Sequence, residues 1–283
     1  MSSRSDIAVN PSLRRVEYDE VVIHLDPVLR ERGILVVFTE RSGGVSVSPY
    51  ESLNLAAHVG DAAVAVDTNR TRLFGALGIA GLRERLVTAE QVHGERIEVV
   101  GDREAGSGTF AEPAHGSRPP VPATDALVTS ARDLPLMMFF ADCVPVVLVA
   151  TRPRPAVAVV HAGWRGALVS LPGTAASALA AHAGCAPSDI NAYIGPHIAR
   201  CCYELDERLL SHFCNIFDTI GAVDGRLDLA AVVRESLARS GVSAGRTTSV
   251  GACTHDLTDR FFSYRAESMT GRHGALAVIT EGE

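Results

Sequence analysis

Two stretches carry the side chains most able to do chemistry. Residues 141–148 read ADCVPVVL and residues 157–168 read VAVVHAGWRGAL. Each holds a buried-strand pattern of small and β-branched residues, with Cys143 just before the first run and His161 at the end of the second. Between them lies TRPRP, whose prolines cannot donate to a strand ladder and so read as a turn. If the runs form a hairpin with Ala150 facing Ala156, Cys143 falls opposite Gly163, within two residues of His161. A thiol and an imidazole then meet at one end of a buried sheet. That pair has two common uses, as a Cys–His nucleophile or as zinc ligands. A third neighbour would decide between them. His93 in AEQVHGE is the best candidate, because it sits at a strand break and is followed by glycine. The sequence has no CxxC, no HExxH and no H-x-E…P-C-x-x-C, so none of the strong zinc signatures applies.

Composition sets the frame for such a site. The chain has 283 residues, 47% hydrophobic and 21% charged, with a net charge near −7. That is enough apolar material for one large domain or two small ones. The acidic balance argues against broad nucleic-acid binding, since a phosphate-tracking surface needs a basic excess. The N-terminus lacks an apolar core of signal-peptide length. The most apolar stretch, LPLMMFFADCVPVVLVA, is broken by Asp142, Cys143 and Pro145 and is too short for a membrane span. It reads as two buried strands and a turn. A cytoplasmic location is therefore expected, with no membrane partner. Six cysteines are then expected as free thiols rather than disulfides.

The elements that must position the site follow from periodicity. Ile34 to Thr39 reads as a strand and RSGGVS as the turn after it. Asp61 to Gly78 has helical spacing through Val66, Leu73, Phe74 and Leu77, with Asp67 and Asn69 as capping candidates. LVTAEQVHGERIEVV reads as strand, break and strand. Residues 101–123, rich in Gly, Pro, Ser and Ala, are expected to be a mobile loop within the domain. DALVTS, LPLMMFF, VPVVLVA and PAVAVV read as strands, Gly166 to Ala183 as an alanine-rich helix, and NAYIGPHI as strand and turn. Helices are expected over Asp206 to Ile220 and Asp228 to Ser240, the latter closed by Gly241. TTSVGACT, FFSYR and GALAVIT read as strands. No solenoid repeat is present. Helices and strands without a strict βαβ rhythm predict an α/β (α+β) domain with a mixed sheet.

Several motifs resemble one family jointly: QVHG at 91–94, TDALVT at 124–129, ADCVPVVL at 141–148, HAGWRG at 161–166 and IGPHIARCCYE at 194–204. RSGGVS, NLAAHVGD, NR at 69–70, CT at 253–254, FFSYR and GR at 271–272 extend the match to nearly the whole chain after about residue 34. They resemble the laccase-domain family, long described as multicopper polyphenol oxidases and now as purine nucleoside phosphorylases with adenosine deaminase activity. The resemblance implies one zinc held by His93, Cys143 and His161, in a single catalytic domain over residues 31–283 preceded by an N-terminal extension over 1–30. It also implies mixed sheets in a sandwich-like core flanked by helices, like a group of cysteine hydrolases, with a cleft over the metal. Three protein ligands leave a position open, the mark of a catalytic site. Copper is an alternative occupant, since affinity order favours it. A four-copper oxidase centre is another matter, because it needs paired histidines and none of the ten here forms H-x-H.

Phosphorolysis of a purine nucleoside places phosphate against C1′ while positive charge builds on the ribose. Arg165, close after His161, is assigned to phosphate or substrate, helped by the N-terminus of the following helix. Arg41, Asn54, Arg265 and Arg272 sit in other motifs of the resemblance and are assigned to substrate. Deamination would instead bring water to C6 with a nearby acid or thiol moving protons. Asp142, Glu204 and Cys202 are the groups placed to do so. Trp164 suits a cleft wall and a stacking platform equally. Two other readings stay open. In one, Cys143 and His161 form a nucleophile pair cleaving an amide, as in cell-wall precursor editing. In the other, a non-catalytic nucleotide-binding module holds zinc in a closed site with Cys202 as fourth ligand.

Overall fold

The computed structural model describes residues 10–112, 117–217 and 224–280. Two sheets form the centre. One is antiparallel, in the order β1 (Arg14–Tyr18), β2 (Val21–Leu25), β3 (Ile34–Thr39), β11 (His273–Ile279) and β6 (Leu136–Phe140). The other is mixed, in the order β10 (Thr247–Ser249), β9 (Asn191–Ile194), β7 (Val144–Ala150), β8 (Ala156–Ala162), β5 (Ala126–Thr129) and β4 (Ile97–Val99). Only its outermost pairs, β10 with β9 and β4 with β5, run parallel. The expected α/β domain of packed sheets with flanking helices is the architecture observed, with one of the two sheets mixed and the other wholly antiparallel.

Side-chain alternation explains the layering, because successive strand residues face opposite sides. Val147, Val149, Val157 and Val159 point toward the first sheet and pack with Val36, Phe38, Met138 and Ala277. Their neighbours Val146, Leu148, Ala156, Ala158 and Val160 point the other way. They pack beneath helices α4 (Leu171–Ala183) and α6 (Leu229–Arg239), with Ala175, Ala176 and Leu179 of α4 in contact. Strands buried on both faces lose their polar alternation, which is why these runs are continuously apolar. The outer face of the first sheet is closed by α2 (Ala63–Ala76) through Leu73 and Phe74. His161 shares parity with Val157 and Val159, so its ring lies on the inter-sheet side.

Several elements differ from expectation. Residues 14–25, assigned to an extension outside the domain, pair through β2 with β3 and close the edge of the first sheet. A short helix α1 (Pro27–Arg30) then follows, capped by Asp26. Asp67 and Asn69 do not cap α2, whose N-cap is Ala62. Asp67 pairs with Arg83, and the amide of Asn69 holds Val45, Ser46, Ser52 and Asn54. The single helix expected from Gly166 is two, α3 (Trp164–Leu168) and α4, separated by Ser170 in the left-handed region at φ 60°. Only the part of LVTAEQVHGERIEVV from Ile97 to Val99 is a strand, and Val87 and Ala89 make isolated bridges. FFSYR is not a strand: Ser263 caps one helical turn, α7 (Tyr264–Glu267).

The helix expected to reach Ile220 is α5 (Glu207–Ile216), and residues 218–220 lie outside the described residues. In the segment 101–123, Gly108 and Thr109 give their carbonyls to the buried guanidinium of Arg70. Its residues 113–116 lie outside the described residues. No disulfide links Cys143, Cys185, Cys201, Cys202, Cys214 or Cys253 to another of the six. Among the described residues no helix is long and apolar enough to cross a membrane.

Candidate active site

The β7–β8 hairpin pairs Ala150 with Ala156 and Val144 with Ala162, the register the turn residues implied. One step further along sits Cys143, half-buried, against Gly163. A Cβ at Gly163 would stand 2.8 Å from His93 Cδ2 and 3.3 Å from the Cys143 sulfur. The glycine is therefore what lets a third chain segment, carrying His93, approach the hairpin. His93 Nε2 lies 3.7 Å from Cys143 Sγ. The ring centroids of His93 and His161 are 4.7 Å apart, edge to face. One ligand atom from each of the three residues falls within 4.8 Å of the other two.

Asp125 on the flank of β5 organises this group. Its Oδ1 accepts from His161 Nδ1 at 2.7 Å and from the backbone N–H of His93 at 3.1 Å. Its Oδ2 accepts from the N–H groups of Val92 and Gly94 at 3.2 and 2.7 Å. The carboxylate thus holds the turn that puts His93 at φ 58° and leaves His161 Nε2 facing the thiol. Burial pushes Asp125 up, but His161 and the backbone donors outweigh it and bring it below the usual carboxylate value. Burial likewise pushes the Cys143 thiol up, and the two imidazoles more than reverse this, to about 6. His161 loses by burial and gains more from Cys143 and Asp125, rising to about 9. Together these shifts describe a thiolate beside an imidazolium.

The donor set suits a borderline-soft divalent cation. With metal–ligand bonds of about 2.0–2.3 Å, a tetrahedral site needs donor separations of about 3.5 Å, close to that between His93 and Cys143. These three residues could hold a metal ion with a position left open toward a cavity of about 320 Å³. Phe139, Phe140, Ile198 and Leu229 supply apolar wall, while Tyr203 and Tyr264 add aromatic faces. Arg265 and Arg272 bring positive charge to it. His58 also lines it, held below its ordinary value by burial and by the charge of Arg272.

Of the other expected site residues, only some reach this cavity. Asp142 lies in its wall at φ 92°, but its oxygens are committed to the fold. Oδ1 accepts from Thr254 and Ser263 and Oδ2 from the backbone of Arg265, each at 2.7 Å. It positions Arg265 and is not placed as a free proton shuttle. Asn54, fully buried, accepts the Arg272 N–H and so fixes the second arginine from behind. Arg41 is spent elsewhere, on Glu267 and the carbonyls of Thr258 and Glu51, with its guanidinium over Phe262.

Arg165 is exposed and stacks on Trp164 at 4.8 Å from the ring centroid, apart from the cavity lining. The helix it opens has only five residues, so the expected anion-binding N-terminus is slight. Trp164 itself packs against the helix-side core. Glu204 points outward to Arg226, although its carbonyl accepts from Arg265. Cys202 belongs to a separate group with Cys201, Cys253 and Asp256, so it is not a fourth ligand beside His93.

Sequence reasoning missed Asp125, His58, Tyr203 and Tyr264. Each lay inside a quoted motif (TDALVT, NLAAHVGD, CCYE and FFSYR) but only the folded chain shows which of a motif's residues face the cavity.

Residues 35–280 match the family described as multi-copper polyphenol oxidoreductase laccase. A purine nucleoside phosphorylase of Corynebacterium glutamicum is 37% identical over 260 residues, spanning 90% of this chain and 97% of that protein. The purine nucleoside phosphorylase YlmD of Geobacillus stearothermophilus is 35% identical over 260 residues, 89% of this chain and 91% of that one. The crystal structure of YlmD from Geobacillus stearothermophilus superimposes with a TM-score of 0.84 at 31% identity, covering 96% of this chain and all of that one. That of YfiH from Bacillus licheniformis gives 0.83 at 29%, covering 94% and 98%. With its motifs, fold and sequence in agreement, the chain belongs to the multi-copper polyphenol oxidoreductase laccase family, among relatives named purine nucleoside phosphorylase.

Proposed function

We propose that the chain is a zinc-dependent purine nucleoside phosphorylase acting in the cytoplasm. It converts adenosine, inosine and 5′-methylthioadenosine to base and ribose 1-phosphate, and it also deaminates adenosine. One observation carries this reading: His93, Cys143 and His161 converge at a cavity that combines aromatic walls with two arginines. The names of the relatives support it.

Zinc at the three residues would supply fixed positive charge to a substrate oxygen or nitrogen. The remaining roles belong to the chain. Arg265 and Arg272 hold phosphate, with Asp142 and Asn54 setting their backbones. Phe139, Phe140 and Tyr264 take the flat, weakly polar base and keep water from it. His58, kept uncharged at neutral pH, is available to donate or accept one hydrogen bond at the substrate. The test is to incubate inosine with and without phosphate and identify the products. Phosphate-dependent ribose 1-phosphate supports the reading; absence of base release, or free ribose irrespective of phosphate, overturns it.

A second reading has its own observation. Cys143, His161 and Asp125 stand in the order of a cysteine-hydrolase triad, with the thiol drawn down to about 6. A metal-free protein that cleaves amides and is inactivated by alkylation at Cys143 would favour it.

A further inference from the structure

A second set of sulfur ligands lies outside the catalytic group. Cys201 and Cys202 end the turn that follows β9, and the loop after β10 carries Cys253 and Asp256 against them. Cys201 Sγ is 3.3 Å from Cys202 Sγ and 3.7 Å from Cys253 Sγ. The carboxylate of Asp256 bridges the vicinal pair, Oδ1 at 2.9 Å from Cys202 and Oδ2 at 3.2 Å from Cys201. All four donor atoms lie within 4.8 Å of one another.

Three sulfurs and one carboxylate are the ligand number and kind of a closed tetrahedral site. Metal–sulfur bonds of about 2.3 Å imply sulfur–sulfur edges of about 3.8 Å, and metal–carboxylate bonds are slightly shorter. The two sulfur–sulfur separations lie at or inside those edges, and the Asp256 contacts are shorter still. The backbone N–H of Ala199 also donates to Cys253 Sγ, 3.3 Å away, and fixes that sulfur in place. A disulfide would use two of the three thiols and would give the carboxylate no part. A divalent cation uses all four groups.

The two segments also meet at the catalytic cavity. Tyr203, next to Cys202, lines it. Thr254, next to Cys253, donates to Asp142, which in turn holds the backbone of Arg265. We propose that Cys201, Cys202, Cys253 and Asp256 form a second, structural site for a zinc-type divalent cation. It fastens the turn after β9 to the loop after β10 and so fixes one wall of the cavity. Its four protein ligands leave no open position, in contrast to the three at His93, Cys143 and His161.

The test counts metal and is independent of catalysis. Reduced, chelator-stripped full-length chain is loaded with Zn²⁺, freed of excess, and analysed for zinc per chain by native mass spectrometry. The Cys143→Ala variant is expected to keep one zinc, and Cys201→Ser with Cys253→Ser is expected to lose one relative to wild type. Should the double variant fail to fold, Asp256→Asn preserves volume and all three thiols. Against the Cys143→Ala background it is expected to weaken Zn²⁺ at least ten-fold in chelator competition. Wild type that binds a single zinc, all of it lost in Cys143→Ala, overturns the proposal. So does a Cys143→Ala chain whose one zinc is indifferent to Asp256→Asn. Failure of phosphorolysis would leave this count untouched.

Discussion

Replacing Asp125 by asparagine tests the organisation of the site with almost no change of shape. Each carboxylate oxygen takes two donors: Oδ1 those of His93 and His161, Oδ2 those of Val92 and Gly94. An amide offers one oxygen and one NH₂, so either orientation leaves a pair of donors facing another donor. With NH₂ at the Oδ2 position, the N–H groups of Val92 and Gly94 lose their acceptor and the turn that presents His93 loosens. With NH₂ at the Oδ1 position, His161 must carry its proton on Nε2, the nitrogen that faces Cys143. An unmet donor costs about 1–3 kcal/mol, and the low end applies here because this turn is partly open to solvent. Two of them give a loss of about 2 kcal/mol in stability. Metal affinity should fall about 10–100-fold, the usual effect of removing a carboxylate behind a histidine ligand. Urea unfolding gives the first quantity and chelator competition the second. A variant within about 0.5 kcal/mol of wild type, the ordinary range for a surface substitution, with unchanged metal affinity, would refute this account of Asp125.

Gly163→Ala should force His93 away, since its Cβ would meet that ring at 2.8 Å; retained metal stoichiometry with unaltered affinity would count against the contact. In the metal-free chain, alkylation of Cys143 by iodoacetamide should rise through about pH 6, because the imidazoles favour the thiolate. An inflection in the ordinary thiol range, read by mass spectrometry of the Cys143 peptide, would contradict the pairing. Arg272→Ala should raise the KM for phosphate about ten-fold or more, the worth of one or two charge-assisted hydrogen bonds, and leave the fold intact by circular dichroism. Far from the site, Glu40 is buried among His24, Arg260 and Arg15, whose bonds outweigh burial and hold its carboxyl well below the usual range. Its stabilisation is complete above the unfolded carboxylate value and fades as pH falls below it. Acid unfolding should therefore be shallower in Glu40→Gln than in wild type.

How far the fold could be read follows from which forces were local. The strands β5 to β8 were legible because burial on both faces leaves an uninterrupted apolar run, and prolines mark the turn between β7 and β8. β1 was not, because RRVEY is an edge strand with exposed charges along most of its length, and only pairing with β2 identifies it. FFSYR has strand-like aromatics, yet Ser263 accepts from the Ala266 N–H and donates to Asp142, and those two bonds bend the segment into a turn of helix. The break between α3 and α4 did carry a signal: Pro172 belongs in a first helical turn, so the helix that precedes it has to stop.

The site divides along the same line. Cys143 and His161 belong to one hairpin, so strand register alone brings them together. His93 needs Asp125 to hold its turn and Gly163 to leave room, and neither requirement is expressed near residue 93 in sequence. The arginines show the limit most sharply. Arg165 is nearest His161 along the chain and would be chosen by proximity, but it lies on the exposed face of a five-residue helix against Trp164. Arg265 and Arg272, more than a hundred residues away, line the cavity because Asp142 and Asn54 bind their backbone N–H groups. Charge at this cavity is thus positioned by two buried polar side chains, each with an oxygen spent on the backbone of one arginine. The turn after β9 and the loop after β10, joined through Cys201, Cys202, Cys253 and Asp256, extend that same support to the wall carrying Tyr203.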